Sequence, residues 1–112
     1  EEPIIVPPGK AGKYCVAFDP LDGSSNIDCN VSVGTIFSVY KRKPGSPGNV
    51  NDLLRSGMEC ICAGYVVYSS AVEMVFTFQG GDVHGFCLDS TIGEFVHTRE
   101  KMMFPEDGGK KI

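Results

Sequence analysis

The sequence contains no tryptophan and is poor in leucine, alanine and histidine. Its 112 residues include four Leu, four Ala and two His, against twelve Val, seven Ile and seven Phe. Because β-branched and aromatic residues favour strands, whereas leucine and alanine favour helices, this composition predicts a mostly β chain. The 14 glycines and 7 prolines predict many turns between the strands.

Long hydrophobic runs and an excess of positive charge are also missing. No stretch approaches the roughly 18 consecutive apolar residues of a membrane-spanning helix, so the sequence favours no membrane partner. The net charge of −4 argues against a nucleic-acid-binding surface. We therefore expect a small-molecule ligand, and an anionic one would need something other than net charge to attract it.

The five cysteines do not form a recognisable framework. They are odd in number and irregularly spaced, whereas secreted disulfide-linked domains usually carry an even number. Cys60 and Cys62 form the only close pair, and no second pair stands at the spacing of a zinc site. A reducing, intracellular environment fits this pattern best.

Apolar runs separated by Gly, Pro, Ser and Asp predict a series of strands. They cover residues 4–6, 14–18, 31–40, 61–68, 72–78, 83–88 and 95–98. The short breaks between the last three predict an antiparallel meander, and Asn51 is expected to cap one helical turn through Arg55. Such a sheet needs covering elements. Together with the start at Glu1, which is not Met, and the Gly-Lys-rich end at residues 108–112, this predicts a piece of a longer chain.

The segment at residues 19–28, Asp-Pro-Leu-Asp-Gly-Ser-Ser-Asn-Ile-Asp, carries the chemistry. It follows a predicted strand, and Pro20 holds the preceding Asp19 extended. Asp19 and Asp22 are expected to direct their carboxylates toward one point, with the carbonyl of Leu21 between them. Two carboxylates and a carbonyl are hard oxygen donors of the kind that Mg²⁺ or Mn²⁺ prefers.

The residues that follow suit a phosphate group. The amides of Gly23, Ser24 and Ser25, with two hydroxyl groups, are expected to form a concave set of donors, and a bound cation would recruit the anion to an acidic protein. An Asp-x-x-Asp-Gly sequence by itself is most often only a hydrogen-bonded turn. Both interpretations of this short motif remain open on the residues alone.

The whole ten-residue segment strongly resembles the signature of the fructose-1,6-bisphosphatase family, within the metal-dependent, lithium-sensitive sugar and inositol phosphatases. The likeness extends to further segments at residues 12–14, 33–37, 63–65 and 92–95, and to Tyr68. The resemblance implies an α/β (α+β) layered sugar-phosphatase fold. Residues 1–112 would be its central segment, a mostly β, largely antiparallel or mixed sheet that lacks its covering helices.

The resemblance also implies an activity. The parent enzyme would hydrolyse the 1-phosphate of fructose 1,6-bisphosphate, giving fructose 6-phosphate and phosphate in gluconeogenesis. Its cofactor would be Mg²⁺, with Mn²⁺ or Zn²⁺ as alternatives, and its full-length form would be a cytoplasmic homotetramer. The loop at residues 43–58 contains no Cys, which disfavours the thiol-regulated plastid form.

The matching residues would have three roles. The metal ligands would be Asp19, Asp22 and the main-chain carbonyl of Leu21. The substrate, chiefly the phosphate that is removed, would contact Asp22, Gly23, Ser24 and Ser25. The residues that help to hold AMP, an inhibitor of animal-type members, would be Lys13, Tyr14 and Lys41.

Other residues and functions stay open. The acidic pair Glu1 and Glu2 resembles a metal-bridging pair of the family but stands too close to residues 4–6, so neither is assigned to metal. We expect the upstream catalytic acids and the downstream half to lie outside these residues, and the piece alone to be inactive. His84 and His97 are read as cross-strand surface or interior positions. The alternatives are a sedoheptulose-bisphosphatase or inositol-phosphatase relative, and a non-catalytic β-rich interaction module.

Overall fold

The computed structural model of the protein describes residues 2–106. Six strands form one sheet in the order β1-β2-β3-β4-β5-β6, and every neighbouring pair is antiparallel. The strands are β1 (Tyr14–Asp22), β2 (Val33–Lys41), β3 (Cys62–Tyr68), β4 (Val72–Phe78), β5 (Val83–Asp89) and β6 (Glu94–Arg99). Short 3-10 helices occupy Pro8–Lys10, Ser24–Cys29, Val50–Asp52 and Gly57–Glu59.

The predicted β character and the antiparallel meander are confirmed, and the meander extends from the last three strands to all six. The strand predicted at residues 4–6 is wrong, because residues 2–7 have no regular secondary structure. Three prolines lie in or beside that run, at positions 3, 7 and 8. Proline has no backbone N–H to donate to a strand ladder, which accounts for the difference.

The strand β1 ends later than the sequence predicts. Its predicted end at the Asp19–Pro20 step is wrong, because β1 continues to Asp22 with a shift in its pairing to β2. β1 lies at the edge of the described sheet, where a missing proline N–H on the outer side removes no ladder hydrogen bond. The motif therefore begins inside a strand and not after one.

The loop between β2 and β3 is built around one buried carboxylate. Asp52 is fully buried and accepts hydrogen bonds from the Ser46 hydroxyl (2.6 Å), the Lys43 amide (2.9 Å) and the Asn49 amide (3.1 Å). The Ser46 hydrogen bond, followed by that from Lys43, lowers the pKa of Asp52 to about 2. The carboxylate thus organises this Pro- and Gly-rich loop from within.

The cap of this loop's helical turn is not the predicted one. Asn49, and not Asn51, caps the turn Val50–Asp52, and its side chain accepts from the Asn51 amide at 3.0 Å. The turn also ends before the predicted limit at Arg55. Asn49 and Asn51 are the same residue type, so residue preference at the N-cap cannot distinguish them. The backbone amides that face each side chain decide which of the two caps the helix.

The described residues cover neither face of the sheet, and both faces expose large apolar side chains. Tyr40 and Val75 are the only apolar side chains among residues 2–106 that are buried. Phe18 and Ile36, which point to opposite faces, remain 61% and 46% exposed. A sheet with two uncovered faces is expected to be one layer of a fold in which further layers pack against it.

The centre of the sheet is closely packed at one glycine. A Cβ added at Gly64 on β3 would lie 2.6 Å from the Phe76 Cβ and 2.8 Å from the Phe37 ring. Only glycine fits at this position without displacing these two phenylalanines of the neighbouring strands β4 and β2. None of the described helices is long and apolar enough to cross a membrane.

Candidate metal and phosphate site

The aspartates of the motif flank an irregularity in the β1–β2 ladder. Asp19 pairs with Ile36 and Asp22 pairs with Gly34, so three steps along β1 correspond to two steps along β2. This is a β-bulge, in which one extra residue is accommodated in β1. Residues that face each other across a ladder lie on the same side of the sheet, and residues two apart on β2 do likewise. The bulge therefore turns Asp19 and Asp22 to one face, although three residues separate them.

The surroundings of the two carboxylates leave them open. Both aspartates are exposed, and Gly34, opposite Asp22, has no side chain to crowd that position. One oxygen of Asp19, Oδ1, accepts a hydrogen bond from the Leu21 amide at 3.0 Å. This bond fixes the carboxylate against its own backbone and leaves its second oxygen for another partner.

The backbone after β1 turns sharply at a glycine. Gly23 has φ = +82°, in the left-handed region that favours glycine, and its carbonyl accepts from the Asn26 amide at 2.9 Å. The turn leads directly into the 3-10 helix Ser24–Cys29, so both serines sit in its first turn, directly after Asp22 and Gly23 in the chain. This agrees with the expectation of a tight turn after Asp22.

The residues present suit part of a divalent-metal site. Two carboxylates on one face, with the main-chain carbonyl of Leu21 between them in sequence, are oxygen donors of the type that Mg²⁺ prefers. Within residues 2–106 no three His, Cys, Asp or Glu side chains converge, so Glu2 does not join the two aspartates. Glu1 lies outside the described residues, as do the Gly and Lys residues of the C-terminal segment 107–112.

The residues that the resemblance linked to AMP lie at the other end of the same strand pair. Tyr14 pairs with Lys41, and the Lys13 carbonyl accepts from the Arg42 amide at 2.8 Å. Five residues separate Tyr14 from Asp19 along β1, or about 17 Å at the usual rise of a strand. The candidate AMP residues therefore lie close to one another, and so do the candidate metal ligands, but the two groups lie at opposite ends of β1.

The two histidines, which look isolated in the sequence, contact each other. His84 Nδ1 lies 3.1 Å from His97 Nε2 across β5 and β6, and His97 also packs on the Phe86 ring. His97 pairs with Phe86, and His84, two residues from Phe86 along β5, lies on the same face of the sheet. The pair is missed by sequence because the residues are thirteen positions apart and only the register between β5 and β6 brings them together.

The cysteines of the described residues are all free. Cys60 donates to the Cys62 carbonyl at 2.8 Å, and burial, followed by the charge of Cys60, raises the pKa of the Cys62 thiol. A raised thiol pKa lowers the thiolate fraction and so makes Cys62 less reactive.

Comparisons with known proteins agree with one another. The family model for the N-terminal domain of fructose-1,6-bisphosphatase matches residues 1–100. Class 1 fructose-1,6-bisphosphatases of Chloroherpeton thalassium and Chlorobium phaeobacteroides are each 56% identical, over 110 and 108 residues; these matches cover 96% and 94% of this chain and 31% and 32% of the relatives.

Solved structures resemble the chain as well. The T-state structure of Leishmania major fructose-1,6-bisphosphatase superposes with a TM-score of 0.77 at 44% identity, over 87% of this chain and 32% of that one. Its holo form gives 0.75 at 45% identity, over 87% and 31%. The chain spans about a third of the length of these relatives. A family match over nearly all of its residues shows that the chain belongs to the fructose-1,6-bisphosphatase family.

Proposed function

We propose that this chain is the central segment of a longer metal-dependent phosphatase that hydrolyses the 1-phosphate of fructose 1,6-bisphosphate to fructose 6-phosphate and phosphate. Family membership and the one-third coverage of the relatives support this proposal. The uncovered faces of the sheet fit a segment that packs against further layers. The segment alone is expected to be inactive, because it lacks the covering elements and most of the pocket that would enclose the substrate.

The observation that carries the proposal is the common face of the two aspartates. Asp19 and Asp22 oppose residues that share one side of β2. In the proposed site their carboxylates and the Leu21 carbonyl hold Mg²⁺, with Mn²⁺ or Zn²⁺ as alternatives. When bound, such an ion neutralises charge on the phosphoryl group and lowers the pKa of the attacking water.

The chain's own residues bind and orient the phosphate. In this proposal Asp22, Gly23, Ser24 and Ser25 contact the phosphoryl group that is transferred to water, since the turn at Gly23 places two hydroxyls and backbone amides directly after Asp22 in the chain. Amide and hydroxyl donors in a concave turn are suited to phosphate oxygens. The negative phosphate would otherwise be repelled by the two carboxylates, so binding of the sugar bisphosphate depends on the cation.

The remaining properties of the parent enzyme are proposed on family grounds. We infer a cytoplasmic homotetramer that AMP inhibits through Lys13, Tyr14 and Lys41. The pairing of Tyr14 with Lys41 at one end of the β1–β2 ladder is consistent with a shared nucleotide site. Lys41 neutralises a phosphate as a point charge, without the two-pronged geometry of arginine.

The test is Mg²⁺-dependent phosphate release by the full-length protein and its Asp19→Asn and Asp22→Asn variants. Loss of a metal ligand removes several kcal/mol of transition-state stabilisation, so each variant should be about a thousandfold slower or worse. Asp82→Asn is the matched control, because Asp82 is an exposed aspartate in the β4–β5 turn whose ion pair with Lys101 spans 3.9 Å. It should keep wild-type turnover.

The substrate is tested in the same assay. Fructose 1,6-bisphosphate is expected to give a higher kcat/KM than sedoheptulose 1,7-bisphosphate or an inositol monophosphate. Wild-type turnover in both aspartate variants would refute the site, and absence of phosphate release from every substrate would refute the enzymatic function.

A further inference from the structure

Two hydroxyl groups meet behind the bulge that carries the aspartates. The Thr35 hydroxyl lies 2.9 Å from the Pro20 carbonyl oxygen and 2.7 Å from the Tyr68 hydroxyl. Thr35 is the β2 residue between Ile36 and Gly34, the partners of the two aspartates. Its side chain therefore lies on the opposite face of the sheet from the carboxylates.

The direction of these hydrogen bonds follows from their donors. A carbonyl only accepts, and a threonine hydroxyl has one hydrogen, so Thr35 donates to Pro20. The Tyr68 hydroxyl must then donate to the Thr35 oxygen. Tyr68 on β3 thus aligns Thr35, and Thr35 holds the Pro20 carbonyl.

The hydroxyl gives the Pro20 carbonyl a partner at the bulge. Pro20 and Leu21 together oppose the single residue Thr35, so the regular ladder is interrupted there. A carbonyl beside such an interruption is free to accept from a side-chain donor. Thr35 supplies that donor from the neighbouring strand.

The peptide unit between Pro20 and Leu21 also contacts Asp19, on the face of the sheet that carries the two aspartates. The Pro20 carbonyl and the Leu21 N–H belong to one planar trans peptide, in which the two groups point in opposite directions. The carbonyl accepts from Thr35, and the N–H donates to Asp19 Oδ1 at 3.0 Å. A continuous chain of hydrogen bonds therefore runs from Tyr68 through Thr35 and this peptide to the Asp19 carboxylate.

We propose that Thr35 and Tyr68 are positioning residues for the divalent-metal site. Their hydrogen bonds fix the plane of the Pro20–Leu21 peptide. The Leu21 N–H of that peptide then orients the Asp19 carboxylate, and the orientation of the peptide also sets where the Leu21 backbone begins. Neither hydroxyl contacts the metal, since both lie on the other face of the sheet. This inference rests on the proposed function of Asp19 and Asp22.

The experiment measures Mn²⁺ binding to the full-length protein without substrate, by electron paramagnetic resonance of the free ion. The variants are Thr35→Val, which loses the hydroxyl, Thr35→Ser, which keeps it, and Tyr68→Phe. Loss of a group that orients a metal ligand typically weakens binding by about tenfold or more. We expect about tenfold weaker binding for Thr35→Val, about threefold for Tyr68→Phe, where one bond of the chain is lost, and rescue to within about twofold by Thr35→Ser.

Thr98→Val is the matched control. Thr98 also donates its hydroxyl to a backbone carbonyl at a bulge, that of Gly85 at 3.2 Å, but on the far strand pair. It should bind Mn²⁺ as the wild type does, whether or not its melting temperature falls. An equal loss of affinity in Thr98→Val and Thr35→Val would show a general loss of folding and overturn the positioning role.

Two further outcomes separate the inference from the function on which it rests. Wild-type Mn²⁺ affinity in both Thr35→Val and Tyr68→Phe, with binding lost in Asp22→Asn, would overturn the positioning role and leave the site intact. Absence of Mn²⁺ binding in the wild type would overturn the site itself, and the positioning role with it. If Thr35→Val does not fold, the Tyr68→Phe result decides.

Discussion

The sheet contains two bulges, one in β1 and one in β6, and the comparison shows what a bulge does to its flanking side chains. In β1 it brings Asp19 and Asp22, three residues apart, to the same face. In β6 it has the reverse effect: His97 pairs with Phe86 and Arg99 with its neighbour Gly85, so two residues that a regular strand would keep together are separated. Both bulges carry a threonine hydroxyl bonded to a main-chain carbonyl.

The separated residues of β6 find partners on opposite faces. His97 contacts His84 at 3.1 Å on one face, and Arg99 forms an ion pair with Glu73 at 2.7 Å on the other. The bulge in β6 thus satisfies its side chains within the sheet. The bulge in β1 leaves two exposed carboxylates on one face without a positive partner within residues 2–106.

The largest effect is expected from moving one carboxylate across the β1 bulge. The double variant Leu21→Asp/Asp22→Leu keeps the composition and the net charge but shifts the second carboxylate by one residue. Phosphate release by the full-length protein should fall by about a thousandfold, because a metal ligand leaves the common face. Activity close to wild type would show that the face set by the bulge is irrelevant.

A substitution in the regular part of the sheet, between the bulges, should lower the free energy of unfolding and leave metal binding unchanged. Gly64→Ala would bring a Cβ to 2.6 Å from the Phe76 Cβ, and overpacking of this kind costs about 1–3 kcal/mol in the free energy of unfolding. Chemical denaturation measures the loss. Gly12→Ala is the control, because a Cβ added at Gly12 would meet no atom within 4 Å beyond its chain neighbours.

An intermediate effect is expected at the β6 bulge itself. Thr98→Val removes the hydrogen bond to the Gly85 carbonyl, which corresponds to about 0.5–1.5 kcal/mol in the free energy of unfolding. Denaturation and phosphate release should be measured on the same preparation. A change in the Mg²⁺ requirement of this variant would contradict the account, in which only the β1 bulge affects metal binding.

The smallest effect is expected for the ion pair beside that bulge. Glu73 and Arg99 are each about half exposed, at 46% and 50%, so solvent screens their interaction. A double-mutant cycle with Glu73→Gln and Arg99→Gln should give a coupling energy of about 0.2–1 kcal/mol that decreases with added salt. A larger, salt-independent coupling would contradict the exposed geometry.

The strands were predictable because their signals are local. Alternation of apolar residues and turn-forming residues located β4 at residues 72–78 without error and the other five strands to within a few residues. The prediction failed where a residue has two possible roles. A proline such as Pro20 predicts the end of a strand, whereas an edge strand tolerates it. The prolines around residues 4–6, in contrast, do exclude the strand predicted there.

The bulges and the contacts that depend on them could not be predicted from the sequence. The sequence suggested that Asp19 and Asp22 converge, but not that an extra residue opposite Thr35 turns them to one face. The bond from Thr35 to Pro20 joins residues fifteen positions apart, and only the register between β1 and β2 brings them together. Contacts of this kind are set by strand pairing, which local patterns do not encode.

The most direct test of the shared acidic face is anomalous diffraction from crystals of the full-length protein grown with Mn²⁺. We expect an anomalous peak with a carboxylate oxygen of both Asp19 and Asp22 in its coordination shell. The account would be contradicted if the two side chains lay on opposite faces of the sheet. It would also be contradicted if the ion were bound elsewhere, with neither aspartate among its ligands.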